Sequence, residues 1–348
     1  MQRLYRIAGA LLLALGAASN SAAPSSGMSQ PIVIAHRGAS AYLPEHTLEA
    51  KALAHAMGAD YLEQDVVLSR DGVPVILHDI HLESTSDVAT RFPDRAREDG
   101  RYYALDFSLE ELRELRLHER SRRDDDGLQR AVYPGRFPLG QGEFRLPTLR
   151  EEIELIDGLN HSRGQRRGLY IELKSPNWHT AQGYEIAVAV LDVLRATGYD
   201  QRSEQVFLQC FDDATLIRLR RELHTPLPLI QLIGENDWGE DSAVDYDWLR
   251  SEAGLAHIAG YADGIGPWIP QVVALRDNQL APTGLAAAAR ARGLLVHPYT
   301  LRADDLPDGV DSVDELHRAL FEAAGVDGLF SDFPDLTRRF IDELAPRK

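Results

Sequence analysis

Eight short apolar runs, each parted from the next by a stretch of helical periodicity, limit what this chain can fold into. They are "PIVIAH", "DYLEQDVVLS", "GLYIELK", "QVFLQCF", "PLPLIQL", "YADGIG", "LLVHPY" and "VDGLFSD". Most are unbroken and β-branched, the pattern of parallel strands covered on both faces. Helix punctuation falls between them: Thr148 with Glu151 and Ser312 with Glu315 read as capping boxes, and "AAAARARG" closes a helix on Gly293. Eight strands alternating with helices predict a (β/α)8 barrel, the TIM fold, with a doubly wound open sheet as the alternative. A chain of 348 residues holds such a barrel, about 250 residues, with room for additions.

One segment breaks the beat. Between His78 and Gly168 the chain runs on for roughly 90 residues, whereas connections in such units take about 2–6 residues besides the helix. We expect one barrel domain over residues 31–344, with an insertion lobe over about 83–147 after the second strand region. The inserted text is charged, aromatic and loop-rich, with one capped helix after Ser108.

The N-terminus carries an address. Arg3 and Arg6 precede "IAGALLLALGAA", an apolar stretch too short to span a bilayer, and "SNSAAPSS" supplies small residues for cleavage. We expect a signal peptide over residues 1–23, export, and a soluble mature protein without a stable membrane anchor. The net charge of -17 argues against nucleic acid or an anionic membrane as partner, because both need a basic face. The single cysteine, Cys210, forms no internal disulfide and is expected in the core. Oligomeric state is not legible.

The polar residues cluster where a parallel barrel does chemistry, at the C-terminal ends of its strands. His36 and Arg37 end the first strand. Glu63 and Asp65 are two apart on the second, so the period of a strand puts both carboxylates on one face. Glu172 and Lys174 repeat that spacing on the third, and His78 and Asp79 follow the short extended segment "GVPVILHD". Three carboxylates in one mouth are expensive unless neutralised. Glu63, Asp65 and Glu172 therefore suggest a hard oxygen site for Ca²⁺ or Mg²⁺, and pairing with Arg37 and Lys174 alone is the alternative. His36 and His78 flank the site, and imidazoles can divide proton removal and proton delivery near neutral pH. Tyr42, Phe211, Trp268, His297 and Tyr299 are candidates to line the pocket.

Six motifs in order, "HRGASAYLPEHT", "EQDVVLSRDGVPVILHD", "IELKSP", "LQCFD", "VHPYTLR" and "VDGLFSDFPD", resemble those of glycerophosphodiester phosphodiesterases, most of all their bacterial periplasmic branch. The resemblance implies a TIM barrel, a divalent metal that is usually Ca²⁺ in that branch, and hydrolysis of deacylated phospholipids to glycerol 3-phosphate and an alcohol. It implies catalytic roles for His36 and His78, metal ligation by Glu63, Asp65 and Glu172, and phosphate contacts by Arg37 and Lys174. It also implies a periplasmic location and a small-molecule glycerophosphodiester as the partner. His46 stands where the broad family often has Asn. A phospholipase acting on lysophospholipids or phosphoinositides, and an exported binding protein on the same barrel, are the competing readings.

Overall fold

The computed structural model describes residues 30–277 and 279–344; the signal peptide expected at residues 1–23 lies outside them. All eight expected strands are present: β1 Ile32–Ala35, β2 Tyr61–Leu68, β3 Gly168–Leu173, β4 Val206–Cys210, β5 Leu229–Ile233, β6 Gly264–Pro267, β7 Leu295–Val296 and β8 Gly328–Ser331. They pair in parallel in the order β7, β6, β5, β4, β3, β2, β1, β8. The ring closes through the segment after β7. There the Asp327 N–H donates to the Val296 carbonyl at 3.0 Å, and the Leu301 N–H donates to the Phe330 carbonyl at 2.9 Å. This closure, with β8 returning to β1, makes the sheet a barrel and not the open doubly wound alternative.

The helices start where small oxygen side chains can satisfy their free N–H groups. Thr47 accepts from the Ala50 N–H at the start of α1, Leu48–Ala56. Thr148 and Glu151 form the full reciprocal box at the start of α2, Leu149–Arg163. Ser312 forms only half of one, because the Glu315 carboxylate accepts from the Asp311 N–H at 3.1 Å instead of from Ser312.

Strand parity separates two cores. Residues such as Val33, Leu62, Leu169 and Leu208 face the surrounding helices, while Ile34, Tyr170, Phe207, Ile230 and Phe330 fill the barrel interior. Tyr170 stacks on Phe207 with centroids 4.9 Å apart, and its hydroxyl meets His297 Nδ1 at 2.9 Å. Advancing two residues from this plug along each strand reaches the mouth: Ile34 leads to His36, Tyr61 to Glu63 and Asp65, Tyr170 to Glu172 and Lys174, Phe207 to Gln209 and Phe330 to Asp332. Gly266 keeps this interior open, since a Cβ there would lie 2.6 Å from Leu232.

The inserted lobe packs a core of its own, including Leu82, Tyr102, Phe107, Leu112, Leu115 and Phe144. Val67 and Val75 of the barrel join that cluster, which anchors the lobe to β2. Pro74–Ile76 forms a short strand antiparallel to the second half of β2, and so carries His78 back to the mouth. Inside the lobe, Ser108 and Glu111 cap a short helix, Leu109–Leu112. Ser121–Arg123 pairs with Gln129–Ala131 as a hairpin.

Candidate active site

The mouth of the barrel opens into a cavity of about 220 Å³ lined by His36, Arg37, Glu63, His78, Glu172 and Lys174, with Gln209, Phe211, Trp268 and Tyr299 among the other walls. The structure therefore brings the expected polar residues together. Two of the expected wall residues do not belong there. Tyr42 lies on the outside, its hydroxyl donating to Asp335 at 2.9 Å, because it falls in the turn after β1 and not on an inward strand position. His297 is buried in the barrel plug against Tyr170, below the mouth.

The turn from β1 is sharp because Arg37 and Gly38 both adopt positive φ, 57° and 91°. At Gly38 a Cβ would sit 2.9 Å from the Ala50 backbone, so glycine lets the turn lie against α1. Arg37 has no such freedom and stores strain of about 1–3 kcal/mol. Its N–H donates to Glu63 Oε2 at 2.7 Å, and its carbonyl accepts from the His46 N–H at 2.9 Å. These bonds hold the strained residue in place.

Glu63, Asp65 and Glu172 each offer an oxygen within 4.8 Å of the others. Burial, with Asp65 and Glu172 as like-charged neighbours, pushes the Glu63 carboxyl well above its ordinary range. Burial likewise raises Glu172 to about 8, although Lys174 donates to it at 2.6 Å. Burial would raise Asp65 too, but His46 at 2.7 Å holds it well below the ordinary carboxylate range. Asp65 Oδ1 is buried without a hydrogen-bond partner. An all-oxygen set with one orphaned carboxylate oxygen and two carboxyls driven toward neutrality fits a hard divalent cation.

Both histidines are held in the same manner. His36 Nδ1 donates to Asp332 Oδ1 at 2.6 Å, and His78 Nδ1 donates to Asp79 Oδ1 at 2.6 Å. A carboxylate accepts only, so each ring keeps its proton on Nδ1 and presents an Nε2 lone pair. The Lys174 ammonium lies 3.4 Å from His78 Nε2. Burial and the nearby Arg37 lower His36 to about 4 and His78 to about 3, with Lys174 adding to the second.

The sequence reading missed several groups here. Gln209 and Asp332 were open to strand parity, two positions beyond inward Phe207 and Phe330. His46 was singled out only as a variant, yet it is a buried support for Asp65, aided by Lys51, whose Nζ lies 3.4 Å from His46 Nδ1. Arg302, Trp238 and Glu240 reach the cavity from segments beyond the strands, where no periodicity marks them.

Known proteins share this arrangement of chain. Residues 36–336 match the model of the glycerophosphoryl diester phosphodiesterase family. A glycerophosphodiester phosphodiesterase of Haemophilus influenzae is 42% identical, covering 95% of this chain and 96% of that protein. One of Treponema pallidum is 36% identical over 91% and 93% of the two chains. Among solved structures, one from Silicibacter pomeroyi assigned to the same enzymes superposes with a TM-score of 0.66 at 27% identity, over 91% and 95% of the chains. A phosphodiesterase of Oleispira antarctica, solved with its product sn-glycerol-3-phosphate, shares the fold with a TM-score of 0.61 at 23% identity, over 90% and 97%. The family match runs from His36, at the end of β1, past β8 and takes in the insertion and the cavity residues named above, and the chain belongs to the glycerophosphoryl diester phosphodiesterase family.

Proposed function

We propose that this protein hydrolyses glycerophosphodiesters to glycerol 3-phosphate and an alcohol, with His36 and His78 as the acid–base pair and a divalent cation as cofactor. The observation that carries the reading is the convergence of three buried carboxylates within 4.8 Å beside two histidines, each held at Nδ1 by a carboxylate. Glu63, Asp65 and Glu172 would hold the cation, Ca²⁺ in preference to Mg²⁺. When bound, the cation neutralises the carboxylates and polarises a phosphodiester oxygen.

Arg37 and Lys174 face the same cavity and supply positive charge for the phosphate. One Nε2 lone pair takes the proton of the attacking oxygen as the new P–O bond forms, that of water directly or of the glycerol 2-hydroxyl, whose cyclic phosphate a water then opens to glycerol 3-phosphate. The opposite histidine, protonated on Nε2, gives its proton to the leaving alkoxide as the old P–O bond breaks. Both rings are neutral in the free site. An anionic phosphodiester offsets Arg37 and Lys174, which raises the affinity of the neighbouring ring for the proton it must deliver. The aromatic walls Phe211, Trp268 and Tyr299 shape the pocket around the small substrate.

The test is release of glycerol 3-phosphate from glycerophosphocholine by the mature protein, first after chelation and then with Ca²⁺ or Mg²⁺ restored. Product lost on chelation and recovered with Ca²⁺ supports the reading. No product from any headgroup with either ion moves the assignment to a phospholipase or a binding protein. We also propose a periplasmic location, supported by the N-terminal text alone; fractionation that leaves the full-length chain in the cytoplasm would refute it.

A further inference from the structure

The base of the inserted hairpin carries two arginines that end behind the two histidines. Arg120 directly precedes the strand Ser121–Arg123, and its carbonyl accepts from the Val132 N–H at 2.8 Å, extending the hairpin pairing. Arg136 follows the second strand and lies under the Tyr133 ring, 3.8 Å from its centroid. Arg120 Nη1 donates to Asp79 Oδ2 at 2.8 Å, while the other oxygen of Asp79 takes the proton of His78 Nδ1. Arg136 Nη2 donates to Asp332 Oδ2 at 2.7 Å, while the other oxygen of Asp332 takes the proton of His36 Nδ1.

We infer that the insertion lobe is a positioning device for the reaction, in which Arg120 and Arg136 fix the carboxylates that orient His78 and His36. The inference rests on the reading of these histidines as the acid–base pair. Three features support it beyond the distances. Each arginine is braced twice: Arg136 forks onto Asp304 at 2.8 and 3.0 Å, and Arg120 forks onto Glu45 at 2.9 and 2.7 Å. Two parallel N–H donors set the plane of a carboxylate as well as its distance. The Arg136 side chain is only 4% exposed, so its position is over-determined by packing and is not that of a surface ion pair.

The third feature is the symmetry of the supply. Asp79 follows the short strand paired to β2 and Asp332 follows β8, with β1 between those two strands, and one hairpin reaches both. Arg302 also approaches Asp332, with Nε at 3.2 Å, and the Ser84 hydroxyl donates to Asp79 Oδ2 at 2.8 Å, but neither belongs to the hairpin, and only the hairpin brings a guanidinium to both aspartates. Without the hairpin each aspartate loses a strong donor, and each imidazole gains freedom to rotate away from the phosphate. Arg120 reaches further, because Glu45 also holds Arg37, with Nη1 at 3.1 Å. It therefore supports a phosphate contact as well as a proton carrier.

The experiment compares Arg136→Ala, Arg136→Lys, Arg120→Ala and His36→Ala in the full mature chain with Ca²⁺, with glycerophosphocholine as substrate. Arg136→Ala is expected to lower kcat by about 10–100-fold, the scale for losing an outer partner of an active-site ligand, with KM within twofold. Arg136→Lys falls between. Arg120→Ala lowers kcat and also raises KM through Arg37. Guanidinium at tens of millimolar restores part of the kcat of Arg136→Ala, and equal sodium chloride does not; a fold defect would respond to neither. A kcat within twofold of the parent in Arg136→Ala, while His36→Ala is inactive, overturns the inference alone. A loss that follows the unfolded fraction, without guanidinium rescue, also overturns it. Parent-like turnover in His36→Ala would instead remove the acid–base reading beneath it.

Discussion

Lys51 and Glu152 form an ion pair between α1 and α2 with side chains fully withdrawn from water, Nζ to Oε2 at 3.0 Å. At that distance, with an effective dielectric of ~20, their attraction is about 5 kcal/mol. Lys51→Met removes one partner and leaves the other buried, a loss of about 3–5 kcal/mol. With an unfolding entropy of ~2.1 cal/mol/K per residue over some ~320 residues, that becomes a drop in Tm of about 5–7 °C. The pH dependence identifies the cause. Burial, opposed by Lys51, pushes the Glu152 carboxyl up to about 7, while in the unfolded chain it ionises near its ordinary value. A raised carboxyl favours the folded state at low pH, where both states hold the proton. That contribution is lost as pH rises from the unfolded pKa to the folded one, by up to about 1.4 kcal/mol per unit. Without Lys51 the folded pKa climbs further and the loss extends above pH 7. The deficit in Tm of Lys51→Met, followed by circular dichroism, should thus be least at pH 5 and grow by up to about 1.4 kcal/mol, about 2 °C, between pH 7 and pH 8. Lys51→Met with Glu152→Leu should regain most of it and lose the pH trend, keeping a residue of about 1 kcal/mol from the lost donations to His46 and the Glu63 carbonyl. An equal deficit at both pH values, or a double variant as unstable as the single, would refute the argument.

Turnover of His36→Ala and of His78→Ala should each fall by about 10²–10⁴ with unfolding unchanged, as loss of a general acid or base requires; near-parent rates in either would end its role. Glu63→Gln should weaken Ca²⁺ binding measured by calorimetry, and an unchanged affinity would exclude it from the ligand set. Gly38→Ala places a Cβ 2.9 Å from the Ala50 backbone at a φ of 91° and should lower Tm by several degrees; an unchanged Tm would show that the turn yields. Burial lowers His317 to about 4, so the stability it confers is complete above its ordinary pKa near 6.5 and is lost as pH falls from there toward 4. That loss approaches roughly 3 kcal/mol, and His317→Phe, beside Phe321 and Phe340, should flatten the acid limb of the stability profile.

Strand and helix in this chain were legible because their periods are local. The alternation in "GLYIELK" already put Tyr170, Glu172 and Lys174 on one face, and the same count placed Glu63 with Asp65. Closure of the ring turned those faces inward, so the carboxylates met as the spacing predicts. The same count missed the ends of motifs whose partners are distant. Strand parity separates Asp332 from Asp335, which bonds Tyr42 outside the mouth, but no local pattern names its partner His36, 296 residues earlier.

What the amino-acid sequence determined by itself is the set of elements, their order and the parity of their side chains, since these follow from interactions within a few residues. Which charges neutralise one another was decided only by the tertiary structure. The inserted lobe reads as loop-rich and charged, with one capped helix after Ser108. Only its docking on Val67 and Val75 brings Arg120 and Arg136 behind the histidines. Only the contact of α1 with α2 makes Lys51, a residue that composition alone would put in solvent, a buried support of the acidic site. A charge is stabilised by what folding places beside it in low dielectric, and that neighbour is not written in the adjacent residues.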